Sequence, residues 1–160
     1  MLNNFVIRNA YDNEEGIIQE FIENEWKTAD LEVFGRYLTP EELNRHLVLT
    51  AWTEEKEPVL LGVAKCFIGG NVIDVYQLLV KTEKRRKNGI GSALLLKIEQ
   101  LCLENGWHKI RLSASEKRAN VDFYRKNGYE IEATLPNDAY GLALFILAKY
   151  LHFPKPVQSS

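Results

Sequence analysis

Apolar positions along the chain change period several times, and each change marks an element. Phe5-Val6-Ile7-Arg8 reads as a short first strand. Beyond it Asp12 offers a helix-capping carboxylate, and Ile17, Ile18, Phe21, Ile22 and Trp26 recur at helical spacing. Leu31 to Tyr37 reads as a loop carrying Phe34, Gly35, Arg36 and Tyr37. Thr39-Pro40-Glu41-Glu42 sets a capping hydroxyl, a first-turn proline and two acids at the start of a short second helix, which should end near His46. Val48 to Thr53 and Val59 to Ile68 flank a polar turn and predict an antiparallel hairpin. Gly69-Gly70-Asn71 then turns the chain into Val72 to Val80, a further antiparallel partner.

From Ile90 the helical period returns. Ile90, Ala93, Leu94, Ile98, Leu101 and Cys102 share one face, and Asn105-Gly106 supplies a stop. Lys109 to Ser113 alternates as a strand, and a polar segment leads into a helix ending at Asn127-Gly128. Tyr129 to Thr134 and Tyr140 to Lys149 are expected as the last strands, around a Pro136-Asn137-Asp138 turn. A meander in the first half and strand-helix alternation in the second predict a mixed α/β class with helices on both faces of one twisted sheet. Residues 1–151 are expected to form one domain, and 152–160, with two prolines and terminal serines, a mobile tail.

Composition narrows the picture. A net charge of −2 argues against a general nucleic-acid or membrane-surface binder, so anion binding must be local. Met1 to Ile7 lacks the basic start and long apolar stretch of a signal peptide, and no apolar run approaches the roughly 20 residues of a membrane helix. A cytoplasmic protein is expected. Cys66 and Cys102 sit in apolar runs and read as buried thiols in a reducing compartment. His46, His108 and His152 have no mutual spacing of a metal site or catalytic pair, so no metal is expected.

Lys84-Arg85-Arg86-Lys87-Asn88-Gly89-Ile90-Gly91-Ser92 carries the most chemistry. Its glycines remove side chains where a ligand would approach main-chain amides. The helix beginning there leaves its first N–H groups unpaired and adds the positive end of its dipole. The arrangement suits a pyrophosphate, with the basic side chains adding charge-assisted contacts. A larger residue at either glycine should block that approach. A P-loop would end in Gly-Lys-Ser/Thr, and a dinucleotide fold would need three glycines and a later acid; neither pattern is present. A basic surface loop before an amphipathic helix is the plain alternative.

Val80, the Arg86-x-x-Gly89-x-Gly91 loop and Ser92-Ala93-Leu94-Leu95 resemble motif A of the GCN5-related N-acetyltransferase (GNAT) family. Phe123-Tyr124-Arg125-Lys126-Asn127-Gly128-Tyr129, following Asn120, resembles its motif B. The resemblance runs from about Phe5 to about Leu151 and implies a central, mostly antiparallel sheet of about seven strands. It implies acetyl-CoA as co-substrate, with pantetheine along Leu78, Leu79 and Val80 and the pyrophosphate on amides from Arg85, Arg86, Lys87, Asn88, Gly89, Ile90, Gly91 and Ser92. The implied reaction is direct attack of a neutral amine on the thioester within a ternary complex. A main-chain N–H near Val80 would receive the oxyanion, and Tyr124 would donate to the departing thiolate. The alternative for Tyr124 is a core aromatic with a satisfied hydroxyl. Asn120 would contact the pantetheine amide or the diphosphate.

Asp74 is the candidate base, six positions ahead of Val80; strand alternation puts Asp74, Tyr76 and Leu78 on one face and Ile73, Val75 and Gln77 on the other. A hydrogen-bonded strand residue is the other reading of Asp74, with Glu25 or a water relay as alternative bases. Two departures from the family pattern stand out. The interval from Val80 to Gly89 is one residue longer than the usual spacing, so Arg85 and Arg86 both fit the arginine slot, and Lys117 stands where motif B often has asparagine. In this family the acceptor is chosen by the first helices, their loop and the last strands, here Glu25, Trp26, Phe34, Tyr37 and the Asn137-Asp138 turn. A small-molecule amine is the first expectation and a protein amine the second, with a homodimer through edge strands as one assembly. A CoA-binding sensor without turnover is the competing class, and a nucleic-acid patch at Lys81 to Lys87 a third.

Overall fold

A computed structural model describes residues 8, 10–36, 45–81, 89–118 and 120–152, the side chains of residues 26, 29, 30, 32–34 and 118 excepted. The strand expected at Phe5 to Arg8, most of the helix expected from Thr39, and the tail beyond His152 lie outside these residues. Helix α1 (Glu15–Phe34) belongs to one compact unit, Met1–Thr39 with Pro156–Ser160; the sheet and the later helices belong to another, Pro40–Lys155.

In the first unit a short 3-10 turn, Asp12–Glu14, precedes α1. Glu14 rather than Asp12 serves its start: the Tyr11 N–H donates to Glu14 Oε2 at 2.8 Å, and Arg8 holds the same carboxylate at 2.7 and 3.0 Å. The helix runs through Leu31 to Phe34, which the sequence suggested as loop, and stops at Gly35 in the left-handed region.

In the second unit six strands order as β1-β2-β3-β4-β6-β5. They are β1 (Arg45–Trp52), β2 (Leu60–Gly69), β3 (Val72–Val80), β4 (Lys109–Ser115), β5 (Glu130–Leu135) and β6 (Leu144–Tyr150). Helix α2 (Ile90–Asn105) connects β3 to β4, and α3 (Val121–Lys126) precedes β5. Only β3 and β4 pair in parallel, as a crossover through a helix requires; every other pair is antiparallel. The mixed α/β class and the mostly antiparallel sheet are as expected.

The β2–β3 hairpin turns on Gly70 and Asn71, both at positive φ, the geometry whose twist matches the flanking strands. His46 lies within β1, not in a helix: Leu47, Leu49 and Ala51 alternate onto the core, a strand period that extends back to Arg45. Residues Ala139–Gly141 form a 3-10 turn with Tyr140 at positive φ, so β6 begins four residues later than expected.

Helix α2 buries Leu94, Leu95, Ile98 and Cys102 against Ala64, Cys66, Ile73, Val75, Ile110 and Leu112 of the sheet. Leu95 faces the core where Ala93 was expected. Gly106, in the left-handed region, ends the helix, and the Trp107 N–H donates to the Cys102 carbonyl at 2.9 Å. Gly62 sets how closely the head of α2 approaches: a Cβ there would lie 2.9 Å from Ile90 Cγ2 and 3.1 Å from the Leu79 carbonyl oxygen. Gly62→Ala should therefore cost about 1–3 kcal/mol through overpacking, read as a lowered midpoint in denaturant unfolding.

Both thiols are buried and free, and burial pushes each up to about 12 from a usual value near 9.0. The thiolate is the reactive form, so Cys66 and Cys102 should resist thiol reagents at neutral pH and react together on unfolding. Because the folded state holds these protons more tightly, this contribution to stability is complete below the unfolded value near 9.0 and declines as pH rises towards about 12. A fall in melting temperature across that window, reduced in Cys→Ala variants, checks it.

Candidate active site

The sheet opens where β3 and β4 meet. Their parallel ladder has four rungs, Val72 with Lys109 through Val75 with Leu112, and then stops. β3 continues to Val80 and β4 to Ser115 with no rung between them. A bulge accompanies the parting: Lys65 pairs with Gln77 and Cys66 with Val75, so Tyr76 is an extra residue in β3. Such a bulge bends and twists its strand.

The bulge also corrects the face assignment. Ile73 and Val75 point into the core, as expected, but after Tyr76 the alternation inverts. Leu78 packs against the core, Val80 Cγ2 lies 3.7 Å from where a Gly91 Cβ would stand, and Leu79 is 47% exposed. Asp74 and Leu78 are therefore on opposite faces. Simple period-two counting fails across an inserted residue.

Helix α2 starts just past this opening. Gly89 caps it in the left-handed region, with no side-chain hydrogen bond at the cap. The first helical bond runs from the Ala93 N–H to the Gly89 carbonyl at 2.8 Å, so the amides of Ile90, Gly91 and Ser92 precede the helix's own ladder. A Cβ at Gly89 would meet nothing within 4 Å, leaving open space at the helix head. Gly91 has a different reason. A Cβ there would stand 3.0 Å from Phe123 Cζ, so its missing side chain makes room for the ring of α3 rather than for a ligand. Residues Arg85, Arg86, Lys87 and Asn88 lie outside the described residues.

The Gly91–Phe123 contact brings the two sequence motifs together. Tyr124, next to Phe123, is 7% exposed, its ring 6.3 Å from that of Tyr129. Burial pushes the Tyr124 hydroxyl above the usual phenol value, so it keeps its proton through the neutral range. Asn120 stands at the head of α3, exposed, and its carbonyl accepts the Tyr124 N–H at 3.1 Å. At the other end of α3, Lys149 donates to the Asn127 carbonyl at 3.1 Å and pairs with Glu99 of α2 at 2.8 Å. One cation thus ties α3 to both β6 and α2.

Asp74 sits on the opposite face of the sheet, directly across the ladder from Arg111. Arg111 Nε and Nη2 donate to its two carboxylate oxygens at 2.6 and 2.5 Å. The pair borders a cleft of about 300 Å³, walled also by Tyr76, Ser113, Leu144 and Ile146. Arg111 and Ser115 are residues that sequence reasoning missed. Ser115 Oγ, on the diverging end of β4, is enclosed and has no hydrogen-bond partner among the described residues. Nothing local in the sequence signals either, because both acquire their setting from strands far along the chain.

Of the expected acceptor residues, Glu25 is exposed on α1; the side chains of Trp26 and Phe34, and all of Tyr37, lie outside the described residues. The rings of His108 and His152 come within 6.2 Å, which their spacing did not suggest. Among the described residues no group of three or more His, Cys, Asp or Glu is gathered as a metal site would need, and no helix is long and apolar enough to cross a membrane.

The same architecture occurs in solved structures. A Bacillus cereus acetyltransferase superposes with a TM-score of 0.68 at 23% identity, over 92% of this chain and 98% of that one. The PaiA N-acetyltransferase of Thermoplasma acidophilum, solved with coenzyme A, gives 0.56 at 23% identity over 85% and 79%. The Escherichia coli ribosomal-protein-S18-alanine N-acetyltransferase gives 0.60 at 17% identity over 70% and 73%. Comparison with curated protein sequences finds no match. A sequence model of the acetyltransferase (GNAT) family matches residues 12–129, which is most of the chain and includes the parting strands β3 and β4, the Gly89–Gly91 turn and Tyr124. The chain belongs to that family, and its enzyme class is acyltransferase.

Proposed function

We propose that this protein transfers an acetyl group from acetyl-CoA to a primary amine, with both substrates bound together. The observation that carries the reading is the head of α2, which opens at Gly89 with no side-chain cap among the described residues, beside strands that part after Val75 and Leu112. Main-chain amides at a helix start favour a diphosphate, and the dipole adds to the attraction. The gap between β3 and β4 leaves main-chain groups of Tyr76 to Leu79 without rungs on one side, which suits an amide-bearing pantetheine chain. Bound acetyl-CoA supplies the activated acyl group; the chain supplies position and proton handling.

Tyr124 fits the donor role. Its helix is pinned to the first turn of α2 through Phe123, and its buried hydroxyl holds a proton that a leaving thiolate can accept. Asp74 fits less well as the base. Both of its oxygens already accept short bonds from Arg111. For the acceptor, a cleft of about 300 Å³ matches the lower end of small-ligand sites and favours a small-molecule amine over a protein amine.

Calorimetry should detect CoA and acetyl-CoA binding, and a panel of primary amines should include one that releases free thiol. Binding without thiol release from any amine would instead identify a sensor. Tyr124→Phe should lower kcat about a hundredfold or more while leaving CoA affinity within a few-fold. With the tyrosine protonated through the neutral range, the alkaline limb of the kcat profile should lie above pH about 10. A limb that survives Tyr124→Phe unchanged would remove the residue from the proton transfer.

A further inference from the structure

We infer that the Asp74–Arg111 ion pair is a clasp that fixes where β3 and β4 part and so positions the acyl-donor slot; the slot's occupant rests on the function proposed above, whereas the clasp does not. The β3–β4 ladder is the shortest in the sheet, four rungs against five to eight elsewhere. It is also the seam joining two antiparallel halves, β1-β2-β3 and β4-β6-β5. Among the described residues, the two Arg111–Asp74 bonds are the only side-chain hydrogen bonds across that seam.

Their position matters as much as their strength. Asp74 and Arg111 are the third of the four rungs; the fourth, Val75 with Leu112, is the last before the strands diverge, and the extra residue Tyr76 follows at once. The bulge pulls β3 away from its straight course, and the ion pair holds the rungs immediately below. Without a brace the divergence could migrate down a ladder of four rungs, widening the slot and carrying Leu78 to Val80 away from α2.

An exposed ion pair usually contributes little. This one departs from that case in two respects. The Asp74 side chain is half-buried at 33% exposure, although that of Arg111 is exposed at 45%, and the contact is a two-point fork whose geometry a flexible ammonium cannot reproduce. Arg111 is also held electrostatically by Glu132, which accepts from Lys109 Nζ at 2.5 and 2.7 Å and from the Tyr150 hydroxyl. Glu132 is the extra residue of a second bulge, in β5. The charges thus run from β3 across β4 to β5, with a hydroxyl of β6 donating to the last, so the guanidinium is fixed from two sides.

Three variants separate a clasp from a base: Asp74→Asn, Arg111→Lys, and the charge swap Asp74→Arg with Arg111→Asp. Amide hydrogen exchange in Val72 to Val75 and Lys109 to Leu112, measured without any ligand, reads the seam directly. Either single substitution should speed that exchange about threefold to tenfold, and the swap should recover most of it. In steady-state kinetics the loss should fall more on KM for acetyl-CoA than on kcat, and the swap should reverse it. Unchanged exchange in both single variants would overturn the clasp. So would a loss confined to kcat, with an altered pH profile that the swap does not restore, since that is the signature of Asp74 acting as a base. If the wild-type protein bound no CoA, the proposed function would fail while the exchange measurement still judged the clasp.

Discussion

Two antiparallel β-layers are joined side by side through a single parallel seam, and everything at the candidate site follows from how short that seam is. Parallel pairing between β3 and β4 needs a crossover, and α2 provides it. The helix must start near the carboxyl end of β3, and that is where the strands have separated. A helix head and an open strand edge therefore arrive at the same place by topology alone. The first amides of the helix precede its own ladder and the edge of β3 from Tyr76 to Leu79 has no rung to β4, so the site is built from backbone before any side chain contributes.

Small residues hold this geometry to a narrow tolerance. Gly62 lets Ile90 and Leu94 settle on β2, while Gly91 lets Phe123 settle on α2. The first contact sets the height of the helix head above the sheet; the second sets where Tyr124 lies along it. Gly89 works differently, through a backbone conformation that other residues adopt at a cost rather than through crowding. Three glycines that look equivalent in a sequence thus have three separate physical functions. The core beneath them, with Leu95, Ile98, Cys66 and Cys102 fully enclosed, gives the rigid base that these contacts require.

Much of this was legible in the residues. Turns carried by a specific backbone demand were read correctly, as at Gly70-Asn71, Gly106 and Gly128, because glycine and asparagine tolerate positive φ. The buried strands and α2 announced themselves by period. What escaped was whatever depends on a neighbouring strand. The inversion at Tyr76 arises from one extra residue relative to β2, and no local property of Val75-Tyr76-Gln77 demands it. Arg111 reads as an ordinary outward strand residue until β3 places Asp74 opposite. His46 was drawn into a helix by the strong start at Thr39, although the alternation of Leu47, Leu49 and Ala51 begins at once. Tyr140, fully exposed at positive φ, breaks a run of apolar residues that reads as strand.

The two faces of the sheet consequently divide the chemistry. On the inner face apolar burial dominates, and its polar elements are few: the Lys149–Glu99 pair, the buried tyrosines and two protonated thiols. On the outer face charges cross three strands, from Asp74 and Arg111 to Lys109 and Glu132, and the Tyr150 hydroxyl of a fourth donates to Glu132. At the parting of β3 from β4 the two faces are linked, because a bulge changes which face each later residue serves relative to simple alternation. Leu78 and Val80 lie on the inner face because the bulge takes Tyr76 out of the alternation. A deletion of Tyr76 would restore unbroken alternation and leave Leu78 and Val80 on the inner face, but it would remove the bend that accompanies the parting, without touching a single residue of either sequence motif. The bulge is therefore as much a part of the site as the glycines are.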